Sequence, residues 1–198
     1  MKPYYEDGYV RLYHGDASAL VVVADLLVSD PPYPNGAGHF EDGIEAARAV
    51  LAAWSGPAFV FWHQLETPPV DAPLVARHAW HRTNTNRPDN YEAIYEFNPD
   101  GRERPSRVFP HAVVYPGLTG CIEATGHPTQ KPVKLLRQLL ALRDYPGTVY
   151  DPFAGSGTTL RAAKDLGRRA VGCEINRTYC DQIVSRLAQE VLDLGGAA

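Results

Sequence analysis

With 198 residues, 44% of them hydrophobic, the chain is long enough to bury the core of one three-layer α/β domain. Nineteen basic residues against 23 acidic ones leave a formal charge of −4, which excludes a polycationic coat that binds nucleic acid by charge alone but leaves room for a local basic face. No apolar signal core follows Met1–Asp7, no run approaches about 18 apolar residues, and Cys121, Cys173 and Cys180 lack paired C-x-x-C spacing; a soluble, cytoplasmic protein without disulfide framework or metal is expected.

Residues Tyr9 to His14 alternate apolar and polar side chains, as a half-buried strand does, and Gly15-Asp16 ends it with a carboxylate at the strand terminus. A short helical link leads to Leu26-Leu27-Val28-Ser29, an apolar run halted by Asp30-Pro31-Pro32 because proline cannot donate to a sheet ladder. Ile44, Ala47, Val50 and Leu51 mark a helix within Asp42 to Trp54, and Ala58 to Trp62 is the next buried strand. Strands are predicted at Ala79 to Arg82 and Ala93 to Phe97, around a polar turn region from Thr83 to Asn90. Residues 98–126 show no clear period. After His127-Pro128, Val133, Leu136, Leu139 and Leu140 stripe a helix that stops near Asp144, where Pro146-Gly147 breaks the chain. Thr148-Val149-Tyr150 predicts a strand, Ala154 to Thr158 a small-residue turn, and Thr159 to Leu166 a helix. A strand over Ala170 to Cys173 and a closing helix striped by Ile183, Leu187 and Val191 follow, ahead of a Gly195 to Ala198 tail. The alternation predicts one domain over 1–198, with a mainly parallel, doubly wound sheet whose ligands bind beyond the strands' carboxyl ends.

Two loops carry the chemistry. Asp151-Pro152-Phe153-Ala154-Gly155-Ser156-Gly157-Thr158-Thr159 sets two glycines between strand and helix, where the missing β-carbons admit a ligand to the backbone. It lacks both the lysine of a phosphate-binding P-loop and the third glycine of a dinucleotide fingerprint. Glu174 ends the next strand 23 positions after Asp151, an offset at which acids accept hydrogen bonds from ribose hydroxyls. A nucleoside cofactor without a large phosphate group fits this pair; a glycine turn with a chance acid is the plainer alternative. In the second loop, Asp30-Pro31-Pro32-Tyr33, the prolines hold a carboxylate, a carbonyl and a ring in one orientation. An exocyclic base amine is a weak nucleophile because its lone pair is delocalised into the ring. Acceptors for both N–H groups, Asp30 and the Pro31 carbonyl, would bend it toward tetrahedral geometry while Tyr33 stacks on a base that has left the duplex. Taken alone, a turn ending a strand remains the rival account.

Together these segments resemble the DNA amino-methyltransferase family that modifies adenine N6 or cytosine N4, in its circularly permuted β-class motif order. Asp30-Pro31-Pro32-Tyr33 comes first, His127-Pro128-Thr129-Gln130-Lys131-Pro132 next, and the Asp151 to Thr159 loop last. His14-Gly15-Asp16 and Ala79-Trp80-His81-Arg82-Thr83-Asn84 extend the resemblance over essentially the whole chain except 98–126. It implies a Rossmann-like sheet with one antiparallel strand and S-adenosylmethionine as cofactor. Cofactor contacts are implied at Asp16, Asp151, Phe153, Gly155, Ser156, Gly157, Thr158 and Glu174, with the cofactor carboxylate near Thr129 and Lys131. Lys131 as a solvated helix-start lysine and His127 as a structural residue rather than a metal ligand are the plainer alternatives.

Pro34 and Asn35 depart from the family's continuation after the tyrosine, so the loop leaving the site takes its own course. The segment 98–126 is small for a target-recognition insertion, which implies short or weak sequence selectivity. Arg102, Arg104 and Arg107 within it, with Arg82 and Arg87, form the candidate DNA face, an exposed charged loop being the alternative. The aspartate opening the catalytic motif favours adenine N6 as target, as in a restriction-modification system, with cytosine N4 as runner-up. RNA or protein-amide methylation, or a degenerate DNA-binding module, fits less well with the motif order and the intact motifs. The resemblance is compatible with a homodimer.

Overall fold

The computed structural model describes residues 1–32, 43–85, 90–114, 125 and 127–189. Among these residues nine strands form one sheet in the order β1-β2-β9-β8-β3-β4-β6-β5-β7. They are β1 (Tyr5–Glu6), β2 (Val10–His14), β3 (Leu26–Ser29), β4 (Ala58–Trp62), β5 (Leu74–Arg82), β6 (Tyr91–Phe97), β7 (Val108–His111), β8 (Val149–Asp151) and β9 (Ala170–Glu174). The helices are α1 (Ile44–Ala52), α2 (Val133–Leu140), α3 (Thr158–Asp165) and α4 (Arg177–Ala188), with a 3₁₀ turn at Ala17–Ala19 where the sequence suggests a helical link.

The five strands β2, β9, β8, β3 and β4 are mutually parallel, so their carboxyl ends share one edge of the sheet. The expected antiparallel strand is β6, which runs against both β4 and β5; the two-residue β1 adds a second at the far edge. All five side chains of β4 are buried because both sheet faces are covered, which is why its sequence is a continuous apolar run. One face packs Leu26, Val28, Phe59, Phe61 and Ile94 against Leu135, Leu136 and Leu139 of α2, Leu160 of α3 and Ile183 of α4. The other packs Leu27, Val60, Trp62, Tyr95 and Phe97 against Leu51 of α1.

Two differences from the predicted elements have physical causes. β5 begins five residues earlier than Ala79, at Leu74, because Arg77 and His78 disguise its periodicity. His78 is buried and bonded through Nε2 to Glu96 Oε2 at 3.1 Å, so its polarity is satisfied inside the sheet. Within the aperiodic segment, β7 pairs parallel with β5 at the edge, where its Pro110 is tolerated and Val108 is left exposed. Asp42, Val191 and the Gly195 to Ala198 tail lie outside the described residues.

Candidate active site

Parallel pairing brings Asp16, Glu174, Asp151 and Asp30 to successive strand ends, beyond β2, β9, β8 and β3 in their spatial order. Asp30 and Asp151 flank the seam where the chain's two halves meet, and Ser29 Oγ donates across it to Asp151 Oδ1 at 3.2 Å. The Phe153 backbone N–H donates to the same oxygen at 3.1 Å. Burial nevertheless pushes the Asp151 carboxyl up to about 7, against the pull of hydrogen bonds from Thr159, Phe153 and Ser29. Asp151 therefore faces the protein and braces the loop.

In that loop Gly155 and Gly157 take left-handed backbone, with φ of 51° and 72°. The Gly155 N–H donates to Glu174 Oε2 at 2.7 Å and the Asn176 N–H to Glu174 Oε1 at 2.7 Å. Both Glu174 oxygens are thus braced by backbone N–H groups of the protein, and the carboxylate retains acceptor capacity for a ligand donor. Burial raises its pKa, opposed by those N–H groups. Asp16 is exposed and caps the 3₁₀ turn by accepting from Ser18 N at 2.8 Å, which holds its carboxyl below the usual range. Ser156 and Thr158 turn inward: their hydroxyls lie 2.9 Å apart, and Arg186 Nη1 reaches the Ser156 carbonyl at 3.0 Å and Thr158 Oγ1 at 3.1 Å. Phe153 and Gly155 are half-buried.

The Lys131 ammonium bonds Asp30 Oδ2 and lies 3.0 Å from Glu92 Oε1. It sits above the Phe61 and Trp80 rings, 5.0 and 5.8 Å from their centroids. Thr158 Oγ1 donates to the Lys131 carbonyl at 3.0 Å, which ties the glycine loop to this lysine. Burial, reinforced by Glu92, pushes Asp30 up to about 6 despite Lys131. Lys131 is buried, not a solvated helix-start lysine, and it touches the Asp30 end of the site. Thr129 is half-buried, its N–H 3.3 Å from His127 Nδ1. His127 packs on Tyr179 at 4.7 Å, and its Nε2 would lie 3.2 Å from a β-carbon on Gly155. Burial and the Lys131 charge lower its pKa to about 4, so it is a neutral packing residue. Pro31 is buried and Pro32 half-buried; Tyr33 lies outside the described residues.

The sequence motifs do not single out Glu92, nor Phe61 as a ring beneath Lys131. The signal was there: Glu92, Ile94 and Glu96 share one face of β6, and Ile94 is wholly buried. An acid in phase with a buried isoleucine needs a buried partner.

The candidate DNA arginines divide. Arg82 is at the site end, with Nη2 3.1 Å from the Tyr91 carbonyl and its guanidinium 5.7 Å from the Trp80 ring centroid. Arg102 and Arg104 are not. Because β6 is antiparallel, its Phe97 end pairs with Ala58 at the amino end of β4, and Arg104 N bonds the Val75 carbonyl there at 2.8 Å. The Arg104 guanidinium pairs with Asp100 at 2.7 Å, faces Glu96 at 3.8 Å and stacks on Tyr145 at 5.7 Å. Arg107 starts the return: its carbonyl accepts from Ala79, and β7 then climbs until His111 pairs with Arg82. Arg87 lies outside the described residues, as does most of the stretch from 115 to 126. A groove of about 680 Å³ between Arg143, Tyr145, Thr148, Leu166 and Arg168 is likewise at the amino ends of the strands, away from Asp30. Arg168 there is committed to the Leu140 and Tyr145 carbonyls, at 3.3 and 2.9 Å.

Cys173 and Cys180 are buried free thiols, and Cys121 lies outside the described residues. Among the described residues no helix is long and apolar enough to cross a membrane.

Residues 65–185 match the family model described as DNA methylase, of the N6/N4 methyltransferase type. The Type II methyltransferase M.ScaI of Streptomyces caespitosus is 27% identical over 263 residues, covering 98% of this chain and 86% of that protein. That alignment is longer than this chain, so the relative carries segments absent here. Among solved structures, the M1.HpyAVI–SAM complex superposes with a TM-score of 0.69 at 22% identity, covering 91% of this chain and all of that one. The PvuII DNA methyltransferase, named as cytosine-N4-specific, gives 0.67 at 16% identity, covering 96% and 90%. These two likenesses show a shared fold.

Proposed function

Because the chain belongs to the N6/N4 methyltransferase family of DNA methylases, we propose that it transfers a methyl group from S-adenosylmethionine to the exocyclic amine of a flipped DNA base, N6 of adenine being the target. The observation that carries this is the placement of Asp30, a carboxylate at the carboxyl end of β3, beside the Asp151 loop and held by Lys131.

The residues present fit the cofactor. Asp16 follows β2 and Glu174 ends the adjacent strand β9, and two carboxylates with spare lone pairs suit an amine and ribose hydroxyls. The same pair repels phosphate, and the glycine loop contains no lysine to offset it. When bound, the cofactor supplies an electrophilic methyl group on sulfonium. Asp30 accepts one N–H of the target amine and the Pro31 carbonyl the other, which turns the nitrogen lone pair out of conjugation. Tyr33 stacks on the base. Alignment of nitrogen and methyl supplies roughly 7–11 kcal/mol, against a few for flipping the base.

Aspartate at the head of the catalytic loop supports adenine, as the family resemblance implies. Cytosine N4 is the second choice, favoured by the fold likeness to an enzyme named as cytosine-N4-specific. Arg82, Arg107 and Arg87 form the proposed DNA face, and the short 98–126 segment limits sequence selectivity. Such a reaction belongs in the cytoplasm, with the chromosome or phage DNA.

Incubating the protein with S-adenosylmethionine and a random unmethylated DNA pool, then quantifying modified nucleosides by mass spectrometry, tests this. N6-methyladenine is expected, and Asp30→Ala should abolish it while leaving cofactor affinity within a few fold. N4-methylcytosine would move the target base. Substantial activity in Asp30→Ala would remove Asp30 from the chemistry.

A further inference from the structure

We infer that Glu92 is a positioning residue for methyl transfer: it anchors the Lys131 ammonium on its aromatic floor, and through that ammonium holds the Asp30 carboxylate in one orientation. The inference rests on the role proposed above for Asp30.

Three elements meet at this point. Lys131 comes from the loop ahead of α2, where Thr158 Oγ1 fixes its carbonyl at 3.0 Å. Asp30 comes from the end of β3, and Glu92 from β6, directly opposite Trp80 of β5 in the ladder. The side chains of Lys131 and Glu92 are 9% and 11% exposed, against 27% for Asp30, so the open member of the trio is the one that meets a base.

A lysine has four rotatable side-chain bonds, and one contact at its tip would let Asp30 swing with it. A second carboxylate 3.0 Å away removes that freedom, and the Phe61 and Trp80 rings close the space beneath. With Oδ2 taken by Lys131, Oδ1 of Asp30 is the oxygen left for the target amine. Misplacement of a reacting group by about 1 Å can cost on the order of 100-fold in rate. Glu92 touches neither amine nor methyl in this scheme.

Charge adds a second consequence. Among the described residues, the charged groups facing Asp30 are Lys131 from the α2 loop, Glu92 from β6 and Asp151 from β8, while His127 beside Lys131 is neutral. Lys131 favours the ionised carboxylate and Glu92 opposes it. Glu92→Gln keeps an oxygen for Lys131 but removes the opposing charge, so Asp30 should ionise at lower pH.

The experiment compares wild type, Glu92→Gln, Glu92→Asp and Asp30→Asn in steady-state methylation of duplex DNA from pH 5 to 9, with cofactor affinity measured by calorimetry. Glu92→Gln should lose about tenfold or more in kcat at neutral pH, with KM for DNA and cofactor within about threefold, and its acid limb should move to lower pH. Glu92→Asp should recover part of the rate. An unmoved acid limb or wild-type kcat in Glu92→Gln, with Asp30→Asn inactive, overturns the role of Glu92 alone. Loss of cofactor binding along with activity in Glu92→Gln makes Glu92 merely structural and overturns it too. Activity in Asp30→Asn refutes the underlying role of Asp30.

Discussion

Gly157→Ala separates two duties a loop glycine can have. At φ 72° an alanine pays about 1–2 kcal/mol for left-handed backbone. Its β-carbon would also lie 2.8 Å from Ile183 Cγ1 and 3.0 Å from Cγ2, inside the core under α4, where Ile183 is fully buried. Overpacking of that kind costs typically about 1–3 kcal/mol, for a sum of roughly 2–5 kcal/mol. In a chain of this size each kcal/mol lowers Tm by about 2–4 °C, so a fall of roughly 4–20 °C is expected by circular dichroism. Since the new methyl points at Ile183 and not out of the loop, cofactor affinity measured well below the transition should stay within about threefold. A double-mutant cycle isolates the clash: Ile183→Ala removes both γ carbons, so Gly157→Ala should cost about 1–2 kcal/mol less in that background. An additive cycle, or an unchanged Tm with weakened cofactor binding, would refute the packing argument and return Gly157 to the ligand.

Because desolvation, joined by Glu92, holds the Asp30 carboxyl above the ordinary aspartate range despite Lys131, kcat should begin to decline at a higher pH than the value of about 4 at which an unperturbed aspartate protonates. A flat profile down to pH 5 contradicts this. Glu96 is buried, accepts from Arg143 Nε at 3.0 Å and from Tyr145 Oη at 2.8 Å, and is lowered to about 2 by His78, Arg143 and Tyr145 against its burial. A depressed carboxylate adds stability that is present above its unfolded pKa near 4.5 and lost as pH falls toward 2. Glu96→Gln should therefore destabilise the protein at pH 7 by about 3–5 kcal/mol in urea titration and flatten the loss of stability between those limits. Arg104→Ala should lower stability by about 1 kcal/mol while leaving the salt dependence of DNA binding unchanged; a shallower salt slope would place DNA at the amino end of the sheet.

Elements held by apolar burial alone were legible in the sequence. β3 and β4 coincide with their apolar runs, and α2 follows its leucine stripe, because burial alone dictates those patterns. Where polar groups are satisfied across strands the pattern fails. His78 and Glu96 break the periodicity of β5 and β6 yet are buried as each other's partners, a pairing that depends on register and not on local spacing. The site shows the same division. Motif order located Asp30, Lys131 and the Asp151 loop, but the inward turn of Ser156 and Thr158 toward Arg186 depends on α4, some 28 to 30 residues away in the chain. The direction of β6 decides which end of the sheet receives Arg102 and Arg104.

The seam between β3 and β8 explains why a permuted motif order costs the site nothing. Ser29 and Asp151 are 122 residues apart and meet by a hydrogen bond, so Asp30 and the glycine loop are brought together by packing and not by proximity in the chain. The residues proposed for the cofactor, Asp16, Gly155 and Glu174, gather at the ends of β2, β8 and β9, while Asp30, Phe61, Trp80 and Glu92 gather at or on β3, β4, β5 and β6. Lys131 is a further link between them: its carbonyl is held by Thr158 of the glycine loop and its ammonium by Asp30 and Glu92. The Lys131 contacts tie the glycine loop to the carboxylate proposed to receive the base, and coupling between ligand occupation of the loop and that carboxylate is the expected consequence. A Thr158→Val substitution should loosen that coupling and lower kcat more than it raises the cofactor Kd; an equal effect on both would mean that the two halves act independently.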